Sequence, residues 1–195
     1  MYDLEIIKNT VSTAPCYNGG ASFKTHSLSK TSNGFAFKPS INGLAFALVF
    51  ALTGLGIFSF GIYKIIIGTT TSEYLFLLLF GAVFLAAGIF ILLLFLRPRV
   101  FNKNSNYYYK GFRKNVNREN KNYVSLNRII ALQLIGETIS SDNGSYKSFE
   151  LNLVLDDATR LNVVDHGNLK KLIIDTEILS NFLNVPIWHA ESNKT

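Results

Sequence analysis

Apolar residues follow distinct rhythms along the chain. In 41–63 (INGLAFALVFALTGLGIFSFGIY) and 74–96 (YLFLLLFGAVFLAAGIFILLLFL) they run nearly unbroken, with no charged side chain in either block. In 149–155 (FELNLVL) Phe149, Leu151, Leu153 and Leu155 alternate with Glu150, Asn152 and Val154, the period of a strand with one buried face. From Leu169 the apolar spacing becomes three and four, through Leu172, Ile173, Thr176, Leu179, Phe182 and Leu183, the period of an amphipathic helix. These rhythms predict two long apolar helices, a β region and a closing helix.

A helix needs about 20 apolar residues to cross a hydrocarbon core of about 30 Å, and both unbroken blocks meet that length. Runs this long exceed the strands of globular sheets. As buried helices of a soluble protein they would lack enough surrounding chain to cover them. The first block also begins behind a polar segment and is too long for the apolar core of a signal peptide. The connector 64–73 (KIIIGTTTSE) is short, so the pair should form an antiparallel hairpin with both chain ends on one side of a membrane.

Lys8, Lys24, Lys30 and Lys38 precede the hairpin, and Arg97, Arg99, Lys103, Lys110, Arg113, Lys114, Arg118, Lys121 and Arg128 follow it, against Lys64 alone in the connector. The positive-inside rule then places both termini in the cytoplasm. Small residues recur at packing intervals: Gly43, Ala47 and Ala51 by four, Gly54 and Gly61 by seven, Gly81 and Gly88 by seven. Such spacing lets helix backbones approach, within the hairpin or between copies in a homo-oligomer. Neither block contains an ionisable residue, which argues against an ion path or a transporter.

The remaining chain reads mostly as β. A hairpin is predicted over 100–112, turning at 102–106, then a polar connector at 113–122, a strand-rich stretch at 124–140 and a turn at 141–145 (SDNGS). After 149–155 the chain turns at Asp157-Ala158 and returns over 159–164 with Leu161 and Val163 inward. The closing helix spans 168–184, with Asp165 or Asn168 as its N-cap and Pro186 beyond its end. Trp188 should pack back on the sheet. Ahead of the apolar blocks, 21–31 and 35–38 bracket Ser32-Asn33-Gly34, an Asn-Gly hairpin signal. An isolated hairpin is marginal in water, so this one should join the sheet of the C-terminal region. The expected organisation is an N-terminal segment 1–40 contributing strands, an apolar hairpin 41–96, and a cytoplasmic β domain 97–195.

Six or seven antiparallel strands closed by one helix is the outline of a pleckstrin-homology-like (PH-like) domain. Through 19–28 (GGASFKTHSL), 149–168 (FELNLVLDDATRLNVVDHGN) and 179–188 (LSNFLNVPIW), the chain resembles uncharacterised bacterial membrane proteins that pair a two-helix hairpin with such a domain. The resemblance implies an α+β protein of the bacterial cytoplasmic membrane, multi-pass, with the transmembrane hairpin inserted into an antiparallel PH-like domain. It implies no activity. Ala158 stands at a tight turn where Gly would be easier.

The formal charge of +6 changes the picture only when mapped. Residues 97–128 hold nine basic side chains against Glu119, whereas 129–195 hold five against nine acids. A juxtamembrane Lys or Arg contributes about 1 kcal/mol at an anionic leaflet. Arg97, Arg99, Lys103, Lys110, Arg113, Lys114 and Arg118 are therefore the candidate surface for lipid headgroups or a protein partner. Tyr107, Tyr108 and Tyr109 among these charges suit a stacking platform for single-stranded nucleic acid, but their strand-like context and the apolar hairpin argue against it.

Catalytic chemistry is sparse. Cys16 is the lone cysteine, and with His26, His166 and His189 scattered there is no metal-ligand spacing. No G-x-S-x-G, paired-Cys, H-E-x-x-H or phosphate-binding Gly motif is present. Asp165-His166 is the one acid–base candidate, and Asp156-Asp157 read as turn residues. The expectation is a non-enzymatic, membrane-anchored interaction module or complex subunit without catalytic residues, metal or cofactor. The alternatives are a membrane-proximal enzyme using Asp165 and His166, and a sensor in a stress or defence system.

Overall fold

A computed structural model describes residues 4–17, 19–68, 72–111, 123–141 and 144–191. The expected connector 113–122, with Arg113, Lys114 and Arg118, lies outside these residues. The elements in order are α1 (Leu4–Thr10), β1 (His26–Thr31), β2 (Gly34–Pro39), α2 (Ile41–Ile66), α3 (Ser72–Leu96), β3 (Arg99–Asn102), β4 (Tyr107–Lys110), β5 (Tyr123–Ser125), β6 (Ile129–Ser141), β7 (Gly144–Leu155), β8 (Arg160–His166), α4 (Leu169–Leu183) and β9 (Ile187–Glu191). The chain divides into two units, Ile41–Arg97 and the combination of Met1–Ser40 with Pro98–Thr195.

In the helical unit, α2 and α3 are both long and apolar enough to cross a membrane. Their contact is set by glycine. A Cβ built on Gly54 would lie 2.2 Å from the backbone nitrogen of Leu85, one on Gly81 2.5 Å from that of Phe58, and one on Gly88 2.3 Å from that of Ala51. Gly61 is closest to the Cβ of Leu78, at 3.2 Å. Ala51, Gly54, Phe58 and Gly61 of α2 thus face Gly88, Leu85, Gly81 and Leu78 of α3, in steps of three and four that match on both helices. Each layer pairs one glycine with a larger residue, and the glycine alternates between helices. Main chain meets main chain in every layer but the last, and steps of three and four totalling seven keep one face of each helix on its partner. The outward face stays apolar: Leu52 is 62% exposed, Phe76 65% and Leu79 65%.

The second unit is α+β and, among the described residues, its strands form two sheets, not one. The first has strand order β1-β2-β3-β4-β5 and is antiparallel throughout. The second has order β8-β7-β6-β9, antiparallel except for the parallel pairing of β6 with β9. That fourth strand is the correction to the sequence reading: after Pro186 the chain does not merely pack back but pairs Ile187 with Leu132 and Trp188 with Gln133.

Ser32 and Asn33 form the first hairpin turn, and Gly34 carries the positive φ of 147° that follows it. A side chain at Gly34 would strike the Phe101 carbonyl, 2.1 Å from an ideal Cβ. Ser40 alone separates β2 from α2, and Arg97-Pro98 separates α3 from β3, while β2 and β3 pair directly through Ala36↔Val100 and Phe37↔Arg99. The two ends of the apolar hairpin therefore belong to adjacent strands.

Helix α4 starts at Asn168, whose side chain accepts a hydrogen bond from Lys171 N, so Asn168 rather than Asp165 is the N-cap. It ends at Asn184 in the left-handed conformation, with Ser180 Oγ donating to Val185 O. Leu172 and Leu179 of α4 enter a core with Phe37, Phe101, Tyr108, Leu132, Leu151, Leu153 and Val164. Phe182 meets Phe35 edge-on at 5.1 Å. β1 and the segment before it are tied to the C-terminal half of the chain: Gly167 N donates to Phe23 O, His166 Nε2 bonds His26 O, Leu28 N donates to Asp175 and Tyr146 OH to Gly20 O. At Gly167 an ideal Cβ would lie 2.2 Å from the carbonyl carbon of Ser22, so only glycine admits this crossing.

Candidate functional site

From Glu150 to Leu155 both faces of β7 are buried. The sequence rhythm assigns Glu150, Asn152 and Val154 to an outward face, yet they are 5%, 0% and 0% exposed. The cover is the N-terminal segment. Val11 packs with Ile130, Ala131, Val154 and Trp188, and Ile7 packs against that cluster. Beyond Val11 the sheet holds the segment by its main chain: Gln133 Nε2 donates to Ser12 O at 3.0 Å, Arg160 Nη1 to Ala14 O at 2.7 Å, and Cys16 N to the Glu150 carboxylate at 2.8 and 3.1 Å.

A bulge in β8 shapes the polar row beneath. Leu151 pairs with Val164, but Asn152 pairs with Asn162, so Val163 is the extra residue. The bulge brings Asn162 and Asp165 to the face of Glu150. Asn162 Nδ2 then bridges the two carboxylates, 2.9 Å from Glu150 Oε1 and 3.0 Å from Asp165 Oδ1. Burial, and next the charge of Glu150, push the Asp165 carboxyl up to about 6. Burial and the same carboxylate push the Cys16 thiol up to about 11, which leaves it protonated and unreactive near neutral pH. Asn152, between Gln133 and Asn162 in the cross-strand row, has neither amide atom hydrogen-bonded among the described residues. A cleft of about 480 Å³ opens beside this row, lined by Cys16, Tyr17, Tyr108, Lys110, Arg160 and Asn162 among others.

The acid–base candidate does not assemble. His166 is fully buried, accepts from Asn168 N at Nδ1 and reaches His26 O through Nε2, so both ring nitrogens are occupied. Burial lowers its pKa, and the neutral ring is a structural link between β8, β1 and the start of α4. Asp165 lies on the other face of the strand. Asp156 and Asp157 are both bridged by Arg128, at 2.9 and 2.6 Å. Among the described residues no group of three or more His, Cys, Asp or Glu side chains is placed to hold a metal.

The basic surface is smaller than its sequence suggests. Arg99 is 9% exposed, with Nε donating to Val163 O at 2.6 Å and Nη1 to His26 Nε2. It shares a face with Phe101, so it cannot serve as a surface cation. Lys103 lies over the Phe182 ring at 5.6 Å. Arg97 is exposed and Lys110 lines the cleft. No family model, curated protein or solved structure matches the chain.

Proposed function

We propose that the chain is a membrane-anchored, non-enzymatic interaction module of the bacterial cytoplasmic membrane. In this reading α2 and α3 span the bilayer, both termini are cytoplasmic, and the α+β unit is PH-like and binds a partner protein. The observation that carries it is the pairing of β2 with β3, which makes the apolar hairpin an insertion into the α+β unit. The exposed Leu, Phe and Val surface of α2 and α3 suits lipid and would be untenable in water. Two sheets closed by α4 support the PH-like outline. Burial of Arg99 favours a protein over headgroups, and Ile174 and Ile178, one turn apart on α4 and 47% and 41% exposed, offer an apolar contact.

Alkaline extraction tests the anchor: the chain stays in the membrane pellet, and release to the supernatant would overturn it. Photocrosslinking from Ile178 in cells tests the module. A discrete protein adduct is expected, and lipid adducts alone would transfer the reading to headgroup binding.

A further inference from the structure

We propose that the outer face of sheet β8-β7-β6-β9 is a groove for an extended polypeptide of a partner protein, and that Val11–Cys16 is the resident ligand which that partner displaces. The inference rests on the interaction-module reading and adds to the Ile174 and Ile178 contact a second site with its partner class.

Three observations carry it. First, the groove reads main chain at alternate residues. The carbonyls of Ser12 and Ala14 and the N–H of Cys16 are taken by Gln133, Arg160 and Glu150, side chains from three adjacent strands. The resident segment itself bends at Val11, Ala14 and Cys16, but the groups taken recur every second residue, the period at which an extended chain presents them, and contacts of this kind ask little of ligand sequence. Second, the resident segment is lightly anchored. Val11 is 6% exposed, Ser12, Thr13 and Ala14 are exposed, and α1 buries no residue. Third, the floor is incomplete. Asn152 is fully buried and neither its Nδ2 nor its Oδ1 has a partner among the described residues, although Gln133 and Asn162 on either side are engaged. Buried amides are rarely left this way. A carboxamide matches a peptide group donor for acceptor, so a ligand chain that dips to Asn152 completes a row the resident segment leaves open. The neighbouring cleft gives such a chain room to continue past β8.

The test uses the full chain in nanodiscs and a fluorescent peptide of residues 4–17. Val11→Asp removes the apolar anchor of the resident segment and leaves the groove intact. The peptide should bind the Val11→Asp chain at least tenfold more tightly than the wild-type chain, and adding Arg160→Ala should erase that gain. Equal or absent binding to a folded Val11→Asp chain overturns the proposal. If Val11→Asp does not fold, a protease site placed between Tyr17 and Gly19 allows the segment to be cut free after folding. Labelled peptide should then exchange into the nicked chain, and failure to exchange overturns the proposal equally. A doubled particle mass from exchange of the resident segment between two copies would overturn the partner assignment. Loss of peptide exchange with the Ile178 protein adduct intact sinks the groove alone, whereas loss of the adduct sinks the module.

Discussion

The helical unit and the α+β unit specify their contacts by opposite means. In the hairpin, inside and outside are equally apolar, so only size distinguishes the contact face, and glycines set main chain against main chain at Leu85, Phe58 and Ala51. In the α+β unit the distinguishing groups are polar and buried: Arg99 on Val163 and His26, His166 on Asn168 and His26, and Glu150 on Cys16 and Asn162. Packing without polar groups tolerates no added volume. Packing through polar groups tolerates no lost partner. The comparison predicts which substitutions each unit will reject.

The largest effect belongs to the glycine seam. Gly54→Leu or Gly88→Leu should destabilise the helix pair by about 1–3 kcal/mol or more, because the obstructing atoms are backbone and cannot swing away. Gly56→Leu, with open space around its Cβ position, should fall within error of wild type. Unfolding in mixed detergent micelles measures both, and equal loss at Gly56 would remove the seam from the account.

Next comes Arg99→Ala, which leaves the Val163 carbonyl and the His26 ring without their buried donor. A loss of about 1–3 kcal/mol is expected in thermal denaturation. Arg99→Lys should restore little of it, since one ammonium does not reproduce the fork. A neutral Arg99→Ala would return this residue to the surface role its sequence position suggested.

Asp165→Asn separates ionisation from packing in the buried polar row. The carboxyl is raised from 3.8 to about 6, so the folded state holds its proton more tightly than the unfolded state. Stability then falls as pH rises through about 4 to 6 and stays reduced above. Asp165→Asn should therefore stabilise the chain by about 1–2 kcal/mol at pH 8 and by almost nothing at pH 4. Melting temperatures at the two values decide it, and an equal gain at both would remove ionisation as the cause. The smallest effect is at Ala158, whose φ of 62° is left-handed. Ala158→Gly should gain about 0.5–1 kcal/mol, the relief of Cβ strain less the entropy of glycine.

Legibility followed the range of the interactions. The apolar helices and the hairpin over Ser32-Asn33-Gly34 depend on neighbours within a few residues, and local pattern reveals them; for the α4 cap it offered both Asp165 and Asn168, and the Lys171 N–H decides for Asn168. The seven-residue recurrence of Gly54 and Gly61, and of Gly81 and Gly88, was visible for the same reason. The covered face of β7 was not, because Glu150, Asn152 and Val154 look like any solvated face until a segment more than a hundred residues distant is laid over them. The bulge at Val163 hid the Asn162–Asp165 pairing by breaking the period of two. Arg99 was read as part of a lipid or partner surface, although its alternation with Phe101 was the signal for its burial. Strand β9 had no cue of its own, since five residues after a proline acquire strand character only from β6.

Sided cysteine labelling tests most directly that one hairpin crosses the bilayer and returns both ends to a single unit. In a Cys16→Ser background, Gly68→Cys lies after α2 and Lys147→Cys on the exposed end of β7. A membrane-impermeant maleimide applied outside intact spheroplasts should label Gly68→Cys, and should reach Lys147→Cys only after permeabilisation. Labelling of both from outside, or protection of Gly68→Cys together with Lys147→Cys, would contradict the account.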